Sequence, residues 1–156
     1  MNMSLSQLLR PDAVLAALRV NGKKQALQEM SERAALVSGL LAREIFDAIL
    51  QRERLGSTGV GDGVAIPHGK LAKCRSISGV FARLERAIDF EAPDGLPVDL
   101  IFMLIAPEAA GADHLKALAM SARLLRNGAV AAQLRATRDP AALYALLTMA
   151  PASNAA

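Results

Sequence analysis

The spacing of apolar residues divides the chain into helical and extended stretches. From Lys23 to about Val37, the residues Ala26, Leu27, Met30, Ala34 and Val37 recur at helical spacing and stop at Ser38-Gly39, which predicts a helix. A second stripe, Leu41, Ile45, Ala48 and Ile49, predicts a helix over residues 40–55 that ends at Gly56 and Ser57. Leu115, Leu118, Ala122 and Leu125 predict a third, closed by Asn127-Gly128, with shorter helices near 129–136 and 140–149. The segment 98–106 (VDLIFMLIA) is a nearly unbroken apolar run, the pattern of a central strand covered on both faces. Residues 77–85 read as another strand, set apart by a bend at Pro93-Asp94-Gly95. Residues 12–20 read as a strand closed by Asn21-Gly22, with helix as the competing reading because Ala and Leu dominate them. Between Gly56 and Gly69 (GSTGVGDGVAIPHG), five glycines and a proline forbid helix and predict tight turns around a short strand at 64–67. These elements predict a single layered α/β domain, a central mixed β-sheet flanked by helices on both faces. Its core runs over about 5–149, with 150–156 as a frayed tail, and no repeat or linker divides it.

A length of 156 residues suits one domain. The lone cysteine, Cys74, excludes a disulfide within the chain and a zinc site built on cysteines. The 53% hydrophobic share is inflated by alanine, and no stretch approaches the ~20 apolar residues that span a bilayer, so no membrane insertion is expected. The first ten residues lack the basic start and apolar stretch of a signal peptide; with an unpaired cysteine, this points to the cytoplasm. The net charge of +3 is concentrated: residues 52–75 hold five basic side chains (Arg52, Arg54, Lys70, Lys73, Arg75) against Glu53 and Asp62, and the remainder is neutral. With four Phe and one Tyr in all, the chain lacks the stacking aromatics and broad basic face of a nucleic-acid binder. A local positive field suits a small anion, although charge counting alone favours a solvated surface cluster.

Nucleotide loops do not match. G-x-G-x-x-G would need glycine at Val64 or Ile66, and the Walker pattern would need glycine at Val64 and Ser/Thr at Leu71. A G-x-S-x-G nucleophile elbow is also missing. The two histidines remain. His68 follows the short strand at 64–67 and His114 follows the loop leaving the strand at 98–106, both where ligands gather in layered α/β domains. Surface decoration is the bland alternative, and a metal site from His68, His114 and Cys74 lacks a carboxylate and a spacing signature, so neither metal nor cofactor is expected. Two imidazoles in a positive field suit phosphoryl transfer to nitrogen, provided one ring nitrogen keeps its proton on a fixed acceptor such as a backbone carbonyl. Pro67 restricts the backbone before His68, and Gly69 would leave the far side open to a phosphoryl group. Asp113 is a candidate N-cap that would put His114 in a first helical turn, with free N–H groups toward an anion. Arg52, seven residues after Ile45 and three after Ile49, would project from the apolar face, either to clamp phosphate oxygens or to neutralise its own helix end.

The stretch Arg52-Glu53, Gly56-Ser57-Thr58-Gly59-Val60-Gly61 and Gly63 to Leu71 (GVAIPHGKL), with Asp113-His114-Leu115 further on, resembles the mannitol/fructose/nitrogen-type enzyme IIA of the phosphoenolpyruvate-dependent phosphotransferase system. The resemblance covers about residues 5–149. It implies a cytoplasmic α/β domain that accepts a phosphoryl group on Nε2 of His68 from an HPr-like phosphocarrier protein. His114 and Arg52 would stabilise the group, and Ser57, Thr58 and Gly69 would line its pocket. The wording GSTG…AIPHGKL, with no attached IIB or membrane IIC segment, is most similar to the nitrogen-regulatory branch. That branch implies an NPr-type carrier as donor and control of target proteins, such as sensor kinases or potassium transport components, by phosphorylation state. A sugar-specific IIA feeding a separate IIB, and a regulator that acts by binding alone without phosphate, are the alternatives.

Overall fold

The computed structural model describes residues 3–149. A single helical turn, α1 (Leu5–Leu8), leads into strand β1 (Leu9–Leu18) and the helix pair α2 (Lys23–Ser38) and α3 (Ala42–Leu55). Three short strands follow, β2 (Gly59–Gly61), β3 (Val64–Ala65) and β4 (His68–Leu71), then the long strands β5 (Ser78–Ile88) and β6 (Val98–Pro107). Helices α4 (Ala112–Leu125), α5 (Gly128–Ala136) and α6 (Pro140–Met149) complete the described chain.

The apolar run at 98–106 becomes the organising strand. Leu100 to Ala106 of β6 are all buried, and a strand buried on both faces must be covered on both. Helices α2 and α3 pack on each other and on β1, β4 and β5, while α1, α4, α5 and α6 form a second group against β1 and β6. The six-stranded sheet has the order β1-β5-β6-β3-β2, and β4 also pairs with β6. It is mixed: β1/β5, β3/β6 and β4/β6 are parallel, β5/β6 and β2/β3 antiparallel.

β3 and β4 occupy successive parts of one edge of β6, Val64 opposite Leu100 and His68 opposite Leu104. They are one strand interrupted at Ile66-Pro67. Proline has no N–H to give the ladder, yet the Pro67 carbonyl still accepts from the Leu104 N–H at 2.9 Å, so the register survives the interruption. The β2/β3 hairpin turns through Asp62 and Gly63 with φ of 58° and 81°, the doubly left-handed geometry that favours Asp-Gly. Arg135 of α5 holds that turn from outside, pairing with the Asp99 carboxylate at 2.9 Å and donating to the Asp62 carbonyl at 2.8 Å.

Several strand boundaries differ from expectation. The strand expected over 12–20 is β1, a strand rather than a helix, and it starts at Leu9. The short strand expected at 64–67 stops at Ala65, and a further strand begins at His68. The tail expected over 150–156 lies outside the described residues. No helix among the described residues is long and apolar enough to cross a membrane.

Candidate functional site

His68 opens β4 rather than sitting in a loop beyond a strand end. The next residue, Gly69, is buried, and a Cβ there would meet backbone and side-chain atoms of Ala48 on α3 at 3.1–3.3 Å. Strand alternation therefore sends His68 and Lys70 to the face away from Ala48. Gly69 thus admits the close approach of α3; it does not open a path to the imidazole.

On that other face His68 meets His114. Their ring centroids lie 5.4 Å apart with a 60° interplanar angle. Nδ1 of His68 is 2.9 Å from the Ile66 carbonyl. A carbonyl only accepts, so Nδ1 carries the proton and Nε2 keeps the basic lone pair. The required acceptor is thus an ordinary backbone carbonyl two residues upstream.

His114 comes from the first turn of α4 and is only 5% exposed. Its Nδ1 is buried with no hydrogen-bond partner among the described residues. The expected capping arrangement is different. Gly111 is the N-cap and Asp113 lies inside the helix. Two first-turn donors are already used: Asp113 N–H bonds Ala110 O at 3.1 Å and His114 N–H bonds Gly111 O at 3.2 Å. The N–H groups of Asp113 and His114 are therefore not free to meet an anion.

Both imidazoles have pKa values below the ordinary 6.5. For His68 burial is the chief cause, opposed by the Ile66 hydrogen bond; the charges of Arg52 and Lys70 lower it further and Glu53 raises it. For His114 burial again leads, followed by His68 and Lys70. Both rings are neutral at pH 7, as a nitrogen nucleophile requires. The unfolded chain takes up protons near pH 6.5 while the folded protein resists them, so stability is full above pH 6.5 and declines as pH drops through it toward the lowered folded values. The thermal midpoint of the wild type is expected to fall from pH 7 to pH 5 more steeply than that of His114→Gln. Parallel slopes would show that burial does not hold this ring neutral.

Arg52 is half-buried and donates to the carbonyl of Gly56 at 2.9 Å, capping its own helix. Its charge reaches His68, and among the described residues it makes no ion pair and no hydrogen bond to either ring. The side chain truly buried on the apolar face of α3 is its neighbour Glu53, in line with Ile45 and Ile49. Glu53 accepts from the Thr58 N–H at 3.2 Å and from the Thr58 hydroxyl, and pairs with Lys23 at 2.9 Å. The hydroxyl of Ser57 is likewise engaged, donating to the Phe90 carbonyl at 2.8 Å. Ser57 and Thr58 thus use their hydroxyls to shape the loop. The sequence reading missed Glu53 and Lys23. The signal was present, since Glu53 lies four residues after Ile49 and eight after Ile45. Cys74 donates to the Ser76 carbonyl at 3.1 Å, and no cluster of three potential metal ligands occurs among the described residues.

Residues 7–150 match the family model described as phosphoenolpyruvate-dependent sugar phosphotransferase system, EIIA 2. The chain is 58% identical over 153 residues to a nitrogen regulatory protein of Bradyrhizobium diazoefficiens, covering 98% of this chain and all of that one. It is 40% identical over 148 residues to the nitrogen regulatory protein of Escherichia coli, covering 94% and 90%. The crystal structure of nitrogen regulatory protein IIA-Ntr from Neisseria meningitidis superposes with a TM-score of 0.86 at 34% identity, covering 91% of this chain and 97% of that one.

Proposed function

Because the chain belongs to the EIIA 2 family of the phosphoenolpyruvate-dependent phosphotransferase system, on its nitrogen-regulatory side, we propose that it is a phosphoryl carrier whose acceptor is Nε2 of His68. The observation that carries this reading is the pairing of two imidazoles: His68 with Nδ1 held on Ile66 O at 2.9 Å, and His114 with its ring centre 5.4 Å away. The Nε2 lone pair attacks phosphorus as the P–N bond to a donor imidazole breaks, and that bond's electron pair returns to the donor ring. The donor is an HPr-like phosphohistidine protein of the NPr type. His114 steadies the transferred group. Arg52 and Lys70 supply positive field against the roughly two negative charges a phosphoryl group brings. In the cytoplasm, the phosphorylation state would then set which target proteins the carrier engages.

Incubation with phosphoenolpyruvate, enzyme I and the HPr-like carrier tests the proposal. The expected product is a phosphoprotein whose label is lost in acid and kept in alkali. An unlabelled wild type would refute the carrier role and favour regulation by binding alone. Onward transfer of the label to a IIB protein would favour the sugar-specific alternative.

A further inference from the structure

Glu53 is a buried carboxylate with all of its contacts directed at one residue and one charge. Oε1 receives the Thr58 N–H and the Lys23 ammonium, and Oε2 receives the Thr58 hydroxyl. Lys23 reaches it from α2 across the Phe90 ring, 4.7 Å from the ring centre. Such a burial costs desolvation, and an apolar group of similar size would serve stability equally well. Its consequence lies in what Thr58 does next. With its N–H and side chain both held, Thr58 presents its carbonyl to the Ile66 N–H at 3.0 Å. The other end of the Ile66 residue is the carbonyl that accepts Nδ1–H of His68 at 2.9 Å. Pro67, with its fixed φ, joins the two.

We infer that Lys23, Glu53 and Thr58 are positioning residues that act through Ile66 to hold His68 in the tautomer with Nε2 unprotonated. The inference rests on the phosphoacceptor reading of His68 for its functional meaning, and on the hydrogen-bond chain alone for its structural content. The relay begins on α2, crosses α3 and the glycine-rich loop, and ends at the imidazole. None of its three side chains touches the incoming group. When the relay is cut, the backbone on both sides of the Ile66 Cα is freer to turn, Nδ1–H loses its fixed acceptor, and the Nε2–H tautomer, which cannot attack phosphorus through Nε2, gains population.

The test uses Thr58→Val, which keeps side-chain volume and N–H but removes the hydroxyl, Glu53→Gln, which removes the charge, and Thr58→Ser, which restores the hydroxyl. Long-range proton–nitrogen NMR of the ring reports the His68 tautomer. Phosphoramidate, a small donor that releases ammonia as its P–N bond breaks and the bond to His68 forms, reports nucleophilicity without a protein donor. Thr58→Val and Glu53→Gln are expected to show a mixed tautomer and phosphorylation slowed about tenfold, the low end for losing a partner that orients a functional imidazole. Thr58→Ser is expected to match the wild type in both readouts. Folded Thr58→Val with the wild-type tautomer would overturn the inference, even if Glu53→Gln failed to fold. A tautomer shift in a series whose wild type takes no phosphate would instead leave the relay standing and sink the phosphoacceptor reading.

Discussion

His68→Ala is expected to abolish phosphoryl acceptance, lowering incorporated label by ~10³-fold or more, the scale on which an enzyme loses its nucleophile. The expectation rests on there being one other imidazole in the chain, and that one is placed differently. His114 is 5% exposed with Nδ1 unpartnered, whereas His68 is half-buried with Nδ1 pinned and Nε2 basic. His114 is therefore not expected to substitute as acceptor. His114→Ala should still be labelled, but with transfer slowed roughly 10²-fold, as for loss of one group that stabilises a transition state. Label on His68→Ala at the wild-type level would remove His68 from the chemistry. Equal transfer rates and phosphoprotein lifetimes in His114→Ala and wild type would remove His114.

Phe102→Ala is expected to produce the largest loss of stability, about 3–5 kcal/mol for deleting a fully buried ring. Phe102 is 0% exposed on the central strand β6 and faces Phe81 of β5 in register, with ring centroids 6.4 Å apart. Close packing around it leaves little freedom to collapse into the space. For a chain of this length the midpoint should fall by roughly 6–20 °C. Equilibrium urea unfolding measures the effect directly. A loss below 1 kcal/mol would contradict the placement of this ring at the centre of the core.

What could be read from the residues followed physical signal strength. The run 98–106 announced β6 because a strand covered on both faces has no polar side to blur it. The α2 and α3 stripes were clear because each had several apolar residues at helical spacing before a glycine stop. β1 was displaced because alanine and leucine carry weak strand preference and Pro11 lies inside it. β2 and β4 were hidden because GVG and HGKL contain little that favours a strand; pairing with β3 decides the first and the β6 edge the second. The turn of α1, four residues long, is too short for periodicity to reveal.

At the site, both histidines were legible because the chain has only two. Arg52 was placed on the apolar stripe by counting seven from Ile45. The structure gives the inward position to Glu53, because an acid with Thr58 and Lys23 as partners is satisfied there while Arg52 is satisfied by Gly56. Ser57 and Thr58 could not be assigned from spacing, since their partners Phe90 and Glu53 are chosen by the fold. Gly69 was read as leaving an open approach; the absence of a side chain serves close packing as well, and only the position of Ala48 shows which applies.

The central claim concerns one nitrogen atom. Phosphorus–proton correlation NMR on the phosphorylated wild-type protein, made with phosphoenolpyruvate, enzyme I and the HPr-like carrier, identifies both the histidine and the ring nitrogen that hold phosphate. The account predicts a single phosphohistidine, at Nε2 of His68, with Nδ1–H still on the Ile66 carbonyl. Phosphate on Nδ1 of His68, or on His114, would contradict it.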